Sequence, residues 1–176
     1  MSDASRFRFC PLCGGPFHSR RLRAGEPDRL VCDACEFVYY IDPKVAVGTI
    51  IRWGDGVLLA RRAIEPGRGK WVFPGGFVDR GEVVEGAARR EAREEVGLDV
   101  ELDGLVGIYS YPGRTPIIIV YAARPLGGDL ATDEESTEAR CFAEARIPWT
   151  DLAFPSTAEA LRDYFGGRVY RRAGPS

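Results

Sequence analysis

At 176 residues the chain has room for about one catalytic-sized domain and a small module. Its 45% hydrophobic and 28% charged content is ordinary for a folded soluble protein, and a formal net charge of −2 argues against a polybasic nucleic-acid or membrane binder. Residues 1–9 lack the apolar stretch of a signal peptide, and no apolar run nears the ~20 residues of a membrane span, so a cytoplasmic protein is expected.

The chain divides into three parts on this reading: an N-terminal arm, cysteine module and connector over 1–43, a main domain over 44–167, and a polar tail over 168–176. Cys10-x2-Cys13 and Cys32-x2-Cys35 bracket a polar stretch from Arg20 to Arg29 that cannot bury much apolar surface. Two such pairs have the spacing of a four-cysteine zinc ribbon, in which four thiolates close the coordination sphere and the metal is structural. The competing reading is a redox dithiol. His18, the only histidine, is expected at the surface.

In the main domain, the β-branched run Val45 to Ile51 suits a strand, Gly54-Asp55-Gly56 a hairpin turn, and Val57 to Ala60 the return strand. Trp71 to Phe77 reads as short strands interrupted by Pro74-Gly75-Gly76. Glu82 to Val96 is the clearest helix, rich in Ala, Glu and Arg, with Gly97 as its stop. Strands are expected over Val100 to Ser110, Pro116 to Ala123 and Ala139 to Phe142. Cys141 is expected as a buried, inert thiol. Ser156-x-x-Glu159 resembles a capping box that opens a last helix, ending near Phe165 before Gly166-Gly167.

The chemistry concentrates in Gly76-x5-Glu82-x7-Arg90-Glu91-Ala92-x-Glu94-Glu95-x-Gly97-Leu98. On a helix, Glu91, Glu94 and Glu95 fall within one turn on one face, where like charges repel. A hard divalent cation such as Mg²⁺ (or Mn²⁺) converts that repulsion into binding, because it prefers carboxylate oxygens. Val84, Ala88 and Ala92 form an adjacent small apolar stripe suited to packing on a sheet. Gly75 and Gly76 let a phosphate-bearing ligand approach the main chain, and Glu82 suits a helix N-terminus. The bland alternative, a solvated Glu/Arg-rich surface helix, leaves the glycines and the spacing unexplained.

This pattern resembles the Nudix box at every fixed position, and Trp71 to Gly76 resembles the family's approach to it. The resemblance implies an α/β class fold, the Nudix α/β/α sandwich with a mixed β-sheet. It makes Glu91, Glu94 and Glu95 the Mg²⁺ ligands and catalytic set, and Glu82 with Arg90 a structural ion pair. A glutamate on a later loop acts as base in some members; Glu138 is the preferred candidate here and Glu135 the second. Arg61, Arg62 and Arg114 are candidate phosphate contacts, and Trp71, Tyr109 and Tyr111 candidate base-stacking residues, although arginines are as often solvated and aromatics more often core. Together with Gly75 and Gly76, the residues Arg61, Trp71 and Tyr109 make up the expected substrate contacts.

The ribbon together with the box narrows the resemblance. Ile108 to Pro116 departs from the signature of NADH pyrophosphatases. Asp42 to Gly48, the box, Glu135-Ser136-x-Glu138 and Ile147-Pro148 are similar to zinc-ribbon enzymes of the plant and bacterial FAD/ADP-ribose pyrophosphatase type. The expectation is Mg²⁺-dependent hydrolysis of ADP-ribose or FAD with release of AMP. Alternatives are NADH, NAD or NAD-capped RNA as substrate and, in another class, a non-catalytic ligand sensor or RNA-interacting protein. A homodimer is implied by the family; no membrane partner is expected, and a nucleic-acid partner is the less favoured alternative that stays open.

Overall fold

The computed structural model describes residues 7–171. By its internal contacts the chain separates into two compact units, Met1–Pro43 and Lys44–Ser176. The outer part of the N-terminal arm, residues 1–6, and the end of the polar tail, residues 172–176, lie outside the described residues.

The first unit is a three-stranded antiparallel sheet, β1 (Phe17–Arg20), β2 (Arg29–Cys32) and β3 (Val38–Tyr39), in the order β1-β2-β3. The third strand occupies part of the segment expected to be a plain connector. Leu30 and Val31 are its buried apolar side chains, beside Cys10 and Cys32. So small a core cannot hold a fold by itself, and the cysteines must supply the rest.

The second unit is built on a six-stranded mixed sheet. Its strands are β4 (Val45–Trp53), β5 (Gly56–Arg62), β6 (Trp71–Val72), β7 (Leu98–Tyr109), β8 (Ile117–Gly128) and β9 (Ser136–Phe142). The order is β6-β5-β4-β8-β7, with β9 on β5; β4 and β8 run parallel and the other pairs antiparallel. Gly54, at φ 60°, turns the β4–β5 hairpin. Strand alternation sorts the core into two layers. Ile50 joins Val57, Leu59, Val106, Val120, Ala160 and Leu161 beneath α2 (Pro155–Phe165), whereas its neighbour Ile51 joins Leu58, Ala92, Val96, Leu98 and Val100 beneath α1 (Val84–Val96). One helix on each face gives the α/β/α sandwich.

Several local expectations shift. The helix α1 begins at Val84, two residues later than expected, and Val83 caps it without a side-chain bond, so Glu82 is free for another partner. Gly97 ends it in the left-handed region at φ 72°, its N–H donating to the carbonyls of Ala92 and Arg93. The capping box does not form: α2 starts at Pro155 after Phe154, and Ser156 is buried inside the first turn. Proline at the first helical position already suits an N-terminus, so the serine is not needed there. Cys141 is exposed rather than buried, because β9 turns it outward where its Sγ donates to the Trp53 carbonyl at 2.9 Å. Partial desolvation and the charge of Asp55 raise its pKa. The tail is partly anchored: Tyr170 exchanges backbone hydrogen bonds with Leu105 on the outer edge of β7. Among the described residues no helix is long and apolar enough to cross a membrane.

Candidate active site

The segment after β6 runs antiparallel to β4 without becoming a regular strand. Thr49 N–H donates to the Pro74 carbonyl, Val47 N–H to Gly76 and Val78 N–H to Val45, at 2.8, 2.8 and 3.0 Å. Glycine is required by close approach at two points. A Cβ on Gly75 would lie 2.2 Å from the Val47 carbonyl oxygen, and one on Gly76 would lie 2.5 Å from the Glu91 carboxylate. The loop therefore lies directly against the acidic face of α1.

Arg90 organises that face. A guanidinium has five N–H donors, and acceptors are present for all five. Nε and Nη2 grip the two oxygens of Glu82, both at 2.9 Å; Nη1 donates to Glu91 at 2.7 Å and Glu94 at 3.0 Å; Nη2 also donates to the Phe77 carbonyl at 3.1 Å. The hydrogen bonds from Arg90 hold Glu82 down at about 2. Glu91 is shifted the other way, chiefly by burial.

Glu95 is the deepest of the acids, 9% exposed, with its Oε2 accepting from the Gly75 N–H at 2.9 Å. Burial pushes it up to about 8, against the Gly75 hydrogen bond, and the charges of Glu91, Asp133 and Glu135 add to the push. Asp133 and Glu135 belong to the loop before β9, where the Glu135 N–H donates to Asp133 and its carbonyl accepts from Ala63. Asp133 was missed in the sequence; the Asp-x-Glu step before a strand was the available signal.

The acids thus outnumber the single guanidinium, and oxygen donors in negative excess are the chemistry a hard divalent cation takes. Among the described residues, however, only the four cysteines already hold their ligand atoms within 4.8 Å of one another. Glu94, at 58% exposure, is tied to Arg90 through one carboxylate oxygen.

The remaining expected residues fall into two groups. Glu138 lies between Arg61 Nη1 at 3.3 Å and Arg140 Nη2 at 2.5 Å, and Arg61 is further fixed by the Gly69 carbonyl. Trp71 and Tyr109 are buried in the core beneath α2, which corrects the expectation that they stack on a base. Trp71 packs edge-on to Phe142 with centroids 4.8 Å apart, and the Tyr109 hydroxyl donates to Asp163 at 2.9 Å. Neither ring has a free face to offer a ligand. Arg62 is spent on the Pro66 carbonyl, and Arg114 is exposed in the β7–β8 turn.

In the first unit, the sulfurs of Cys13 and Cys35 lie 3.3 Å apart, Cys13 and Cys32 3.4 Å, and Cys10 and Cys35 3.8 Å. Zinc at ~2.3 Å from each of four tetrahedral sulfurs sets them about 3.8 Å apart, so the cluster fits that ion with little movement. The two turns repeat one design: Gly14 N–H donates to the Cys10 carbonyl as Glu36 N–H does to Cys32, and the Leu12 and Ala34 N–H groups point at the Cys10 and Cys32 sulfurs. Burial acts to raise Cys32, but backbone N–H groups of Ala34 and Cys35 hold it at about 7. Cys35, despite a favourable N–H from Phe37, is pushed up to about 12 by the neighbouring Cys13 sulfur and by burial. Four thiolates cannot share this space without a cation. His18 stays out of the cluster, its Nδ1 2.5 Å from Asp33.

The model of the NUDIX domain family matches residues 42–165, and the Nudix N-terminal zinc-ribbon family matches residues 8–41. The chain belongs to the Nudix family. An ADP-ribose pyrophosphatase of Methanocaldococcus jannaschii is 38% identical over 136 residues, 75% of this chain and 79% of that protein. The NAD-capped RNA hydrolase NudC of Stutzerimonas stutzeri is 32% identical over 97% of this chain, which spans only 59% of that longer protein. The crystal structure of a NUDIX hydrolase from Nitrosomonas europaea superposes with a TM-score of 0.86 at 38% identity, covering 92% of each chain. This Nudix chain therefore has both the fold and the N-terminal ribbon expected of it.

Proposed function

We propose that this Nudix chain hydrolyses the diphosphate bond of ADP-ribose or FAD with release of AMP, using Mg²⁺ held by Glu91, Glu94 and Glu95. The observation that carries the reading is the seat of Glu95 on the Gly75 N–H with Glu91 against Gly76, which joins the acids and the glycine loop in one surface. The 38% identity to a protein named ADP-ribose pyrophosphatase supports the substrate class. Mg²⁺, when bound, neutralises phosphate oxygens and lowers the pKa of water. Arg90 keeps Glu91 and Glu94 on one side of α1, and Gly75 and Gly76, without side chains, let a diphosphate approach the main chain.

A carboxylate must take the proton from the attacking water. Glu135 is favoured over Glu138, because Glu138 is neutralised by two arginines while the charge of Glu135 is felt at Glu95. Glu135→Gln should then lower kcat at least ~100-fold and Glu138→Gln far less, within the range of general-base contributions. The reverse ranking returns the role to Glu138.

The main test incubates purified protein and Mg²⁺ with ADP-ribose, FAD, NADH and NAD-capped RNA and identifies the products. AMP from ADP-ribose or FAD is expected, and a panel left uncut sinks the enzymatic reading in favour of a ligand sensor. The second reading, NADH or NAD-capped RNA, rests on the relative named NAD-capped RNA hydrolase, which matches across ribbon and box alike; faster cleavage of either would establish it. A cytoplasmic homodimer with structural zinc completes the proposal, and light scattering of the zinc-loaded protein tests the dimer.

A further inference from the structure

With Trp71 and Tyr109 inside the core and Tyr111 half-buried against it, none of the aromatic residues named from the sequence is fully exposed. The exposed ring nearest in sequence to the glycine loop is Phe77, the residue immediately after Gly76. It pairs with Ala46 across a bridge, while Val78 packs with Ala87 and Ala88 beneath α1. By strand alternation the Phe77 ring projects away from α1 and is 50% exposed, although its own carbonyl is gripped by Arg90. The Lys44 Nζ stands over that ring, 4.7 Å from its centroid. Among the described residues Lys44 is in no ion pair, and its contact is with the Phe77 ring. A free ammonium on an open ring, one residue from the loop, is suited to an aromatic phosphate ester: the ring meets a base, the ammonium a phosphate oxygen.

We propose that Phe77 and Lys44 are the specificity contact of this site, Phe77 as platform for the base of a nucleoside-diphosphate derivative and Lys44 as partner of its diphosphate. This rests on the hydrolase reading above. Both side chains are exposed, so variants should fold as the wild type does, which the thermal midpoint checks. Phe77→Ala should raise KM for ADP-ribose about tenfold with kcat within about twofold, and Phe77→Trp should restore it. Lys44→Ala should raise KM similarly and flatten its dependence on salt, and Lys44→Arg should recover both. Wild-type KM and salt dependence in both alanine variants overturn the assignment. If the wild type cuts nothing on the panel, the hydrolase reading fails by itself, and calorimetric binding of ADP-ribose then decides: weaker binding to Phe77→Ala and Lys44→Ala supports the contact, whereas equal binding, or none to the wild type, refutes it.

Discussion

Glu95 places an ionisable group almost wholly out of water, and the consequence can be measured without any substrate. Its carboxyl titrates at about 8 in the fold, chiefly through burial, against an ordinary value of 4.5. The fold therefore favours the protonated form. The sign of the linkage follows: the contribution of Glu95 is fully present below about 4.5 and is lost as pH rises through about 8. At about 1.4 kcal/mol per pH unit, the loss by pH 8.5 is of order 4–5 kcal/mol, a large share of the ~5–15 kcal/mol that keeps a domain folded. Glu95→Gln keeps the size of the side chain and an oxygen for the Gly75 N–H, but has no charge to bury. Urea denaturation of Mg²⁺-free, zinc-replete protein at pH 5 and pH 8.5 should show the wild type losing several kcal/mol more than Glu95→Gln between the two. Added Mg²⁺ should recover the wild type at pH 8.5, by stabilising the carboxylate, and do far less for the variant. If the two proteins share one pH dependence to within about 0.5 kcal/mol, the picture of a buried acid awaiting a cation is wrong.

Three further outcomes are expected. Glu82 is held at about 2 by Arg90, so its contribution is present above about 4.5 and is lost as pH falls through about 2; Glu82→Gln should move the acid-unfolding midpoint to higher pH, followed by circular dichroism. Gly76→Ala drives a Cβ to 2.5 Å from the Glu91 carboxylate, so hydrolysis should fall at least ~100-fold while the thermal midpoint drops only a few degrees, as a misplaced reacting group dictates. Glu36 sits at φ 57° where the matching turn has Gly14, and Glu36→Gly should relieve about 1 kcal/mol and slow zinc transfer to a coloured chelator several-fold.

Spacing that depends on a single element was legible from the chain alone. The register of Glu91, Glu94 and Glu95 on α1, the stop at Gly97, the Gly54 turn and the two cysteine pairs are local, because a helix or a tight turn has one geometry wherever it occurs. So the acidic face, the zinc cluster and the family could be read before any fold was seen. Residues whose role depends on what comes to meet them could not. Trp71 and Tyr109 are aromatic and near the box in sequence, but strand direction turns both into the core. Cys141 faces outward, and Asp133 draws close to Glu95 only because β9 returns along β5. Glu82 was expected to favour the helix N-terminus and to pair with Arg90; only the pairing survives, because one guanidinium satisfies five acceptors gathered from loop and helix. Periodicity decides which side chains share a face; which of them is buried, neutralised or left open is decided by long-range packing, since desolvation and charge depend on neighbours distant in sequence.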